Sequence, residues 1–180
     1  MEIRTTTLAG LLLLVPTPHR DDRGLFTRTF DTAAARSAGI AADFVQDSQS
    51  RSRAGVLRGM HTRGGAGEAK LVRCARGAVH DVVVDVRPGS PTFGAHEAFR
   101  LDDEAFHALY VPAGFLHGFL ALTDADVCYR IDAEHDPTAD LGVRYDDPAL
   151  GIDWPAPPAA LSDRDAALGS VEELRAALGA

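Results

Sequence analysis

KLVRCARGAVHDVVVDVRPGSPTFG (Lys70–Gly94) is the stretch that decides the fold class of this chain. It contains two runs rich in β-branched residues, which are broken at Arg76-Gly77, and it ends in a Pro/Gly/Ser turn. Short apolar runs bounded by turn residues of this kind are typical of β-strands. We therefore predict two strands here, with a turn between them at Arg76-Gly77.

The same design returns in HALYVPAGFLHGFLALTDADVCYRI (His107–Ile131). One run ends at Pro112, a second run follows a glycine turn, and a third run follows a turn at Thr123-Asp124. Near the N-terminus, LAGLLLLVP ends in Pro16 and is too short to span a bilayer. No positively charged region precedes it, as a signal peptide would require, so it predicts a buried strand.

Helical patterns are confined to two short segments. DTAAARSAG (Asp31–Gly39) has an N-cap candidate and a final glycine, and SVEELRAAL (Ser170–Leu178) begins with the capping-box pair Ser170 and Glu173. Many strands with so few helices predict an all-β fold, a jelly-roll barrel or sandwich with a few short peripheral helices. We expect one domain over residues 1–180, with the Asp/Pro-rich stretch 132–158 as a loop across its surface.

Composition excludes several classes of protein. The formal net charge of -8 argues against broad nucleic-acid binding, and no segment predicts a membrane span. Cys74 and Cys128 are far apart in apolar runs, so we expect buried free thiols and neither a disulfide framework nor a zinc site. Free thiols fit a reducing compartment, and the cytoplasm is the predicted location.

Of the 18 basic side chains 17 are arginine, and the single lysine, Lys70, stands nine residues after His61. Arginine keeps its proton, whereas lysine is a compact charge that can take part in proton transfer. A proton next to a ketone is weakly acidic, so its removal requires a base, a group that stabilises the enolate, and an acid. Histidine, a lone ammonium and tyrosine suit these three tasks, so we interpret His61 and Lys70 as parts of a proton-transfer site.

A metal centre is the main chemical alternative. PAGFLH (Pro112–His117) matches half of the metal-binding signature of cupin barrels, but the other half requires two histidines in H-x-H spacing. Here that position reads His61-Thr62-Arg63, which places a cation where a second ligand should stand. Two histidines leave a divalent site without its third ligand. We therefore predict no metal and no other cofactor, and keep a metal-dependent cupin isomerase or oxygenase as an alternative.

Six motifs, some of which contain stretches quoted above, occur in order along nearly the whole chain. They are DDRGLFTRTF (21–30), FVQDSQSRSRAGVLRGMH (44–61), KLVRCARGAVHDVVVDVRPGSPTFG (70–94), YVPAGFLHGF (110–119), VRYDDPALGIDWP (143–155) and LSDRD (161–165). With these motifs the chain resembles the dTDP-4-dehydrorhamnose 3,5-epimerase family. The resemblance implies a cupin-type jelly roll. It also implies an isomerase of deoxysugar biosynthesis that inverts C3, C5 or both of a nucleotide-linked 4-keto-6-deoxy sugar, and we expect the nucleotide to be dTDP.

The resemblance also implies residue roles. The family's base falls on His61, the carboxylate that orients the base on Asp165, the lysine beside the keto oxygen on Lys70, and the catalytic tyrosine on Tyr129. The implied substrate-binding residues are Arg23, Arg28, Gln46, Asp47, Ser48, Arg58, His117, His135, Asp140 and Arg164. The implied assembly is a homodimer in which each N-terminal segment crosses to the partner, so that Arg23 acts in the neighbour's pocket.

Departures from the family pattern concentrate where the nucleotide base would bind. Arg28 replaces a glutamate, Glu134-His135 replaces paired tyrosines, and Ser48-Gln49 replaces Asn-His. The catalytic positions are unchanged, so we expect epimerisation. The sequence does not identify the sugar or the nucleotide base of the substrate. The alternatives are a mono-epimerase acting at C3 or C5 of a natural-product sugar, a 3,4-ketoisomerase, and a sugar-nucleotide-binding module without catalysis.

Overall fold

The computed structural model describes residues 1–40 and 43–179. This part of the chain forms mainly short strands, with three short helices. In chain order the elements are β1 (Glu2–Thr5), β2 (Leu12–Val15), β3 (His19–Asp21), β4 (Gly24–Phe26), α1 (Thr32–Ser37), β5 (Gln46–Ser52), β6 (Leu57–Arg63), β7 (Lys70–Arg76), β8 (Ala78–Asp85), β9 (His96–Asp102), β10 (Ala108–Val111), β11 (Phe115–Ala121), β12 (Ala125–Ile131), β13 (Asp140–Gly142), α2 (Asp163–Ala166) and α3 (Val171–Leu178).

Two antiparallel sheets form the body of the fold. The first has six strands in the order β1-β2-β10-β7-β12-β5, and the second has five in the order β13-β6-β11-β8-β9. Strands β3 and β4 form a separate hairpin whose residues are all exposed. Apart from the pairs β1–β2 and β8–β9, neighbouring strands in both sheets are not consecutive in the chain, as expected for a jelly roll. The predicted all-β, cupin-like sandwich is confirmed.

The main hydrophobic core lies between the two sheets. Val72 and Val127 from the six-stranded sheet pack in one cluster with Val83 and Phe119 from the five-stranded sheet, and none of them is more than 1% exposed. On the opposite face of β8, Val82 and its neighbours pack against the C-terminal segment in a second cluster. Since this sheet is covered on both faces, β8 reads as a nearly continuous apolar run instead of an alternating one.

Local signals placed several elements correctly. Gly77 occupies the predicted turn with φ of 75°, and a Cβ there would clash with the carbonyl oxygen of Asp124 in the second predicted turn. Only glycine fits such a close approach at a positive φ. The Asp31 side chain caps α1, and α3 begins with the predicted capping box of Ser170 and Glu173.

Three features differ from the expectations. The stretch 132–158 is not only loop, because β13 pairs with β6 through Asp140 opposite Arg63. Cys74 is buried. Cys128 is partly exposed, so its predicted burial was wrong: on β12 it alternates with Val127 and Tyr129, which face the core, and its own side chain lies on the outer face of the sheet. Both thiols are free. The hairpin β3–β4 was not predicted.

None of the helices in the described ranges is long and apolar enough to cross a bilayer.

Candidate active site

A cavity of about 280 Å³ opens between the two sheets. Its wall consists of Ser50, Arg58, His61, Lys70, His117, Phe119, Tyr129 and Ile131. Lys70 and Tyr129 belong to the six-stranded sheet, whereas His61 and His117 belong to the five-stranded sheet. The two sheets therefore present different chemical groups to the same space from opposite sides.

His61 is held by a carboxylate from a distant part of the chain. Its Nε2 lies 2.7 Å from Oδ1 of Asp165, and Oδ2 of Asp165 accepts a hydrogen bond of 3.3 Å from the Gly59 backbone. Asp165 is placed by the first turn of α2, where its own N–H donates to the Ser162 side chain that caps the helix. When Nε2 carries the proton that it donates to Asp165, Nδ1 is left as the acceptor nitrogen of the imidazole.

The environment of Asp165 favours its ionised form. Burial raises the pKa of this carboxyl, but the hydrogen bond and charge of His61 and the hydrogen bonds from Gly59 and Ser162 outweigh burial, so the pKa lies below its ordinary value. A carboxylate that stays charged fixes the orientation of the ring and stabilises an imidazolium on His61. The pair can therefore accept a proton from a group in the cavity.

Tyr129 lies on β12, which pairs with the edge strand β5 on one side and with β7 on the other. Its hydroxyl is 3.4 Å from Oγ of Ser50, and its ring meets His117 edge-on at 6.4 Å between centroids. Burial raises the pKa of Tyr129 far above its ordinary value, and the hydrogen bond with Ser50 only partly opposes that effect. The phenol consequently keeps its proton near neutral pH and can give it up only to a much stronger base, such as the carbon of an enolate.

A second histidine in the cavity is also paired with a carboxylate. Nε2 of His117 lies 3.0 Å and 2.8 Å from the two oxygens of Asp81, which is completely buried. In the β11–β8 register Asp81 stands opposite Phe119, so it is the diagonal neighbour of His117 on the same face of the sheet. The pair satisfies two buried polar groups that would otherwise be costly.

The cations of the cavity are held by polar neighbours. Nζ of Lys70 lies 2.9 Å from Oε1 of Glu68. The Arg58 guanidinium donates to Oγ of Ser52 at 3.0 Å and to the Arg51 carbonyl at 3.1 Å. These contacts fix two positive charges on the cavity wall, where an anionic group or a developing oxyanion can be bound.

Comparisons with known proteins agree with this arrangement. The family model described as dTDP-4-dehydrorhamnose 3,5-epimerase matches residues 5–173. A dTDP-4-dehydrorhamnose 3,5-epimerase of Mycobacterium tuberculosis is 43% identical over 98% of this chain and 90% of its own. The chain belongs to the dTDP-4-dehydrorhamnose 3,5-epimerase family.

Two further relatives describe the breadth of the family. A dTDP-4-dehydrorhamnose 3-epimerase of Streptomyces niveus is 41% identical over 92% of this chain and 81% of its own length. The structure of a Legionella pneumophila dTDP-6-deoxy-D-glucose-3,5-epimerase in complex with dTDP-4-keto-L-rhamnose superposes with a TM-score of 0.94, at 38% identity over 98% of this chain and 96% of that chain. Both single-carbon and two-carbon epimerases are thus similar to this chain.

The structure brings together the four residues predicted for catalysis and two of those predicted for binding. His61, Lys70 and Tyr129 line the cavity with Arg58 and His117, and Asp165 contacts His61 from behind. Their chemical roles within the epimerase family's reaction stay predictions.

The other predicted binding residues do not line this cavity. They are Arg23, Arg28, Gln46, Asp47, Ser48, His135, Asp140 and Arg164. Arg23 pairs with Asp21 on the exposed hairpin, and Arg28 pairs with Asp31 at the start of α1. Arg164 donates to Asp140 at 2.9 Å. Within the described part of one chain, these side chains are distributed around the fold, and their binding roles stay predictions.

The position of Gln46, Asp47 and Ser48 follows from one strand. All three lie on β5, the edge of the six-stranded sheet, with Ser48 opposite Tyr129 and Asp47 opposite Arg130. The side-chain N–H of Gln46 donates to the Ala133 carbonyl at 3.2 Å, and the side-chain oxygen of Gln46 accepts from the backbone N–H of His135 at 3.3 Å. The edge strand is therefore tied to the loop that carries His135.

Sequence reasoning missed Ser50, Glu68 and Asp81. A signal for Asp81 was available, because an aspartate inside the apolar run VHDVVVD must be buried and therefore paired. Glu68 stands two residues before the only lysine, a spacing that puts both side chains near one another. Ser50 gave no signal, since its contact with Tyr129 arises from pairing of distant strands. In the described ranges no cluster of three His, Cys, Asp or Glu residues could hold a metal ion.

Proposed function

We propose that this chain is an epimerase that inverts C3, C5 or both of a dTDP-linked 4-keto-6-deoxy sugar through an enolate intermediate. The observation that carries the proposal is the division of groups between the two sheets. His61 is on one sheet and Tyr129 and Lys70 are on the other, around one cavity. A base and an acid on opposite sides of a carbon remove a proton from one face and return a proton to the other.

In the proposed mechanism His61 removes the proton from the carbon next to the ketone. The electron pair of the broken C–H bond forms the enolate, whose charge develops on the ketone oxygen and is stabilised by the Lys70 ammonium. Asp165 stabilises the imidazolium that forms on His61. The Tyr129 phenol then protonates the carbon from the other face. The resulting phenolate recovers a proton from solvent and the His61 imidazolium releases its proton to solvent, so both groups return to their starting states. The elevated pKa of Tyr129, a consequence of burial, makes that recovery favourable.

The phosphates of the substrate require cations, and Arg58 supplies one at the cavity wall. The remaining predicted binding residues, Arg23 and Arg28 among them, lie on segments outside the wall. We assign their contacts to a homodimer in which the N-terminal segment crosses to a partner. The hairpin β3–β4 supports this, since Phe26 is 69% exposed and the Arg23 side chain 90% exposed. We place this enzyme, acting as one catalytic domain, in the cytoplasm.

Deuterium uptake tests the proposal directly. The chain is incubated with dTDP-4-keto-6-deoxyglucose in deuterated water, and the labelled carbons are counted by NMR. Label at C3 and C5 indicates a 3,5-epimerase, as in the Mycobacterium tuberculosis relative, and label at C3 alone indicates a 3-epimerase, as in the Streptomyces niveus relative. Tight binding of the sugar nucleotide without label would instead identify a binding module. Loss of activity with a chelator and recovery with Fe, Mn or Zn would identify metal-dependent chemistry.

A further inference from the structure

Glu68 forms a bridge between two cations at the edge of the cavity. One of its carboxylate oxygens, Oε1, lies 2.9 Å from Nζ of Lys70, and the other, Oε2, lies 2.8 Å from Nη1 of Arg63. Arg63 also donates to the carbonyl of Asp136 at 3.4 Å. The carboxylate is thus fixed from one side by Arg63 and in turn holds Lys70 from the other.

The backbone between Glu68 and Lys70 is also fixed. The N–H of Ala69 donates to the Asp132 side chain at 2.7 Å, and the carbonyl of Ala69 accepts from the Asp132 N–H at 3.2 Å. Ala69 itself is only 4% exposed. Since Glu68 and Lys70 flank this residue, their Cα atoms are held in place and only the side chains can move.

Burial makes the bridge strong. The side chains of Arg63, Glu68 and Lys70 are 8%, 15% and 16% exposed, so little water competes for their contacts. Charged groups interact more strongly where water is excluded. Without the carboxylate, two cations would face one another across the same space, and the flexible lysine would be the one to move.

We propose that Glu68 is a positioning residue, which holds the Lys70 ammonium at the site of the developing oxyanion; this inference rests on the proposed function. An ammonium has three N–H donors, so Lys70 can bond Glu68 and still present donors to the ketone oxygen. Lysine has four side-chain torsions, and an anchor at the tip restricts them all. Arg63 restricts the carboxylate so that the anchor itself is rigid.

Replacement of Glu68 by glutamine removes the bridge between the two cations while keeping the size and shape of the side chain. A carboxylate offers an acceptor to each cation, whereas an amide offers one acceptor and one donor. Glu68→Gln can accept from Lys70 or from Arg63 but not from both. We expect kcat for deuterium exchange to fall about 10- to 100-fold, because misplacement of a catalytic group by about 1 Å can cost about 100-fold. KM should change by less than about twofold, since the oxyanion develops only in the transition state.

A double-mutant cycle with Lys70→Ala distinguishes positioning from a general structural effect. If Glu68 acts through Lys70, Glu68→Gln should cause no further loss of exchange in the Lys70→Ala background, where slow label uptake is followed by mass spectrometry. Equal losses in the two backgrounds would overturn the proposal. Glu172→Gln, which removes the same charge from the exposed face of α3, is the matched control and should retain wild-type kcat.

A loss of activity counts as evidence only if the variant is folded. Thermal unfolding of Glu68→Gln is measured first, and Glu68→Asp serves as the second variant because its carboxylate is one methylene too short to reach both cations. A folded Glu68→Asp or Glu68→Gln protein with wild-type kcat would overturn the proposal. Wild-type protein that takes up no label would contradict the proposed function instead, so the two failures are distinguishable.

Discussion

Replacement of Asp165 by asparagine gives the most direct test of the proposed base. The substitution keeps the size of the side chain and removes its charge. In the structure the carboxylate lies 2.7 Å from Nε2 of His61, and the side chain is only 6% exposed, so water cannot take over the lost contact. The amide can face His61 or the Gly59 N–H with its oxygen, but it cannot accept from both.

The expected size of the effect follows from the charge that forms on His61. A hydrogen bond to a charged group contributes about 1.5 to 3 kcal/mol, and the imidazolium is charged only after the proton has been removed. That loss falls on the transition state, so the exchange rate should fall about 10- to 150-fold, at about 1.4 kcal/mol for each factor of ten. KM should change little, since the neutral ring meets the substrate in the ground state.

The assay is the rate of deuterium uptake by the dTDP-linked keto sugar, measured at saturating substrate. Asp163→Asn is the matched control, because Asp163 lies exposed on the same short helix and should exchange label at the wild-type rate. Circular dichroism and thermal unfolding establish that both variants are folded. An Asp165→Asn rate within twofold of wild type would refute the assignment of His61 and Asp165 as a coupled base.

Three further predictions concern the acid, the packing of the sheets and acid stability. With the Tyr129→Phe variant, the sugar should still take up deuterium from the side of His61, while the yield of inverted sugar measured by NMR falls at least about 10-fold. Normal inversion would show that Tyr129 is not the acid. Gly118→Ala should lower the free energy of unfolding by about 1–3 kcal/mol in urea titrations, because the new Cβ would lie 2.6 Å from Sδ of buried Met60; wild-type stability would contradict this close packing. Burial raises the pKa of Asp85, but hydrogen bonds from Arg87 and neighbouring hydroxyls outweigh it and hold that pKa well below its ordinary value. As the pH is lowered the unfolded chain therefore binds this proton before the folded chain does, and the melting temperature should decrease once the pH is below about 4. Asp85→Asn should show a smaller fall between pH 6 and pH 3, and an equal fall would contradict the sign of the effect.

Local patterns predicted the strands and turns of this fold well, because each is set by neighbouring residues. Gly77 had to be a turn, and Asp31 and Ser170 had to begin helices, for reasons contained within a few residues of each. Strand β13 was missed because three residues carry no pattern of their own, and its pairing with β6 gives it its structure. The exposed hairpin was missed for a similar reason.

The site could be predicted in part. Composition indicated Lys70 and a histidine, and family resemblance supplied Tyr129 and Asp165, but no local rule places Asp165 beside a residue 104 positions earlier. Asp81 and Glu68 each carried a local signal, but that signal did not place them beside the cavity; His117, for example, meets Asp81 only through the register of β11 and β8. Contacts across sheets depend on the whole fold, and this is the physical limit of reading them from sequence.

The candidate base and acid lie on separate sheets, so the distance between them across the cavity depends on how far apart the core holds the two sheets. That distance is set by the volume of core residues such as Val83 and Val127, which do not line the cavity. Enlarging or shrinking one of them would move donor and acceptor apart or together while every catalytic side chain remained intact. In the proposed mechanism, turnover therefore depends on how tightly this interior is filled.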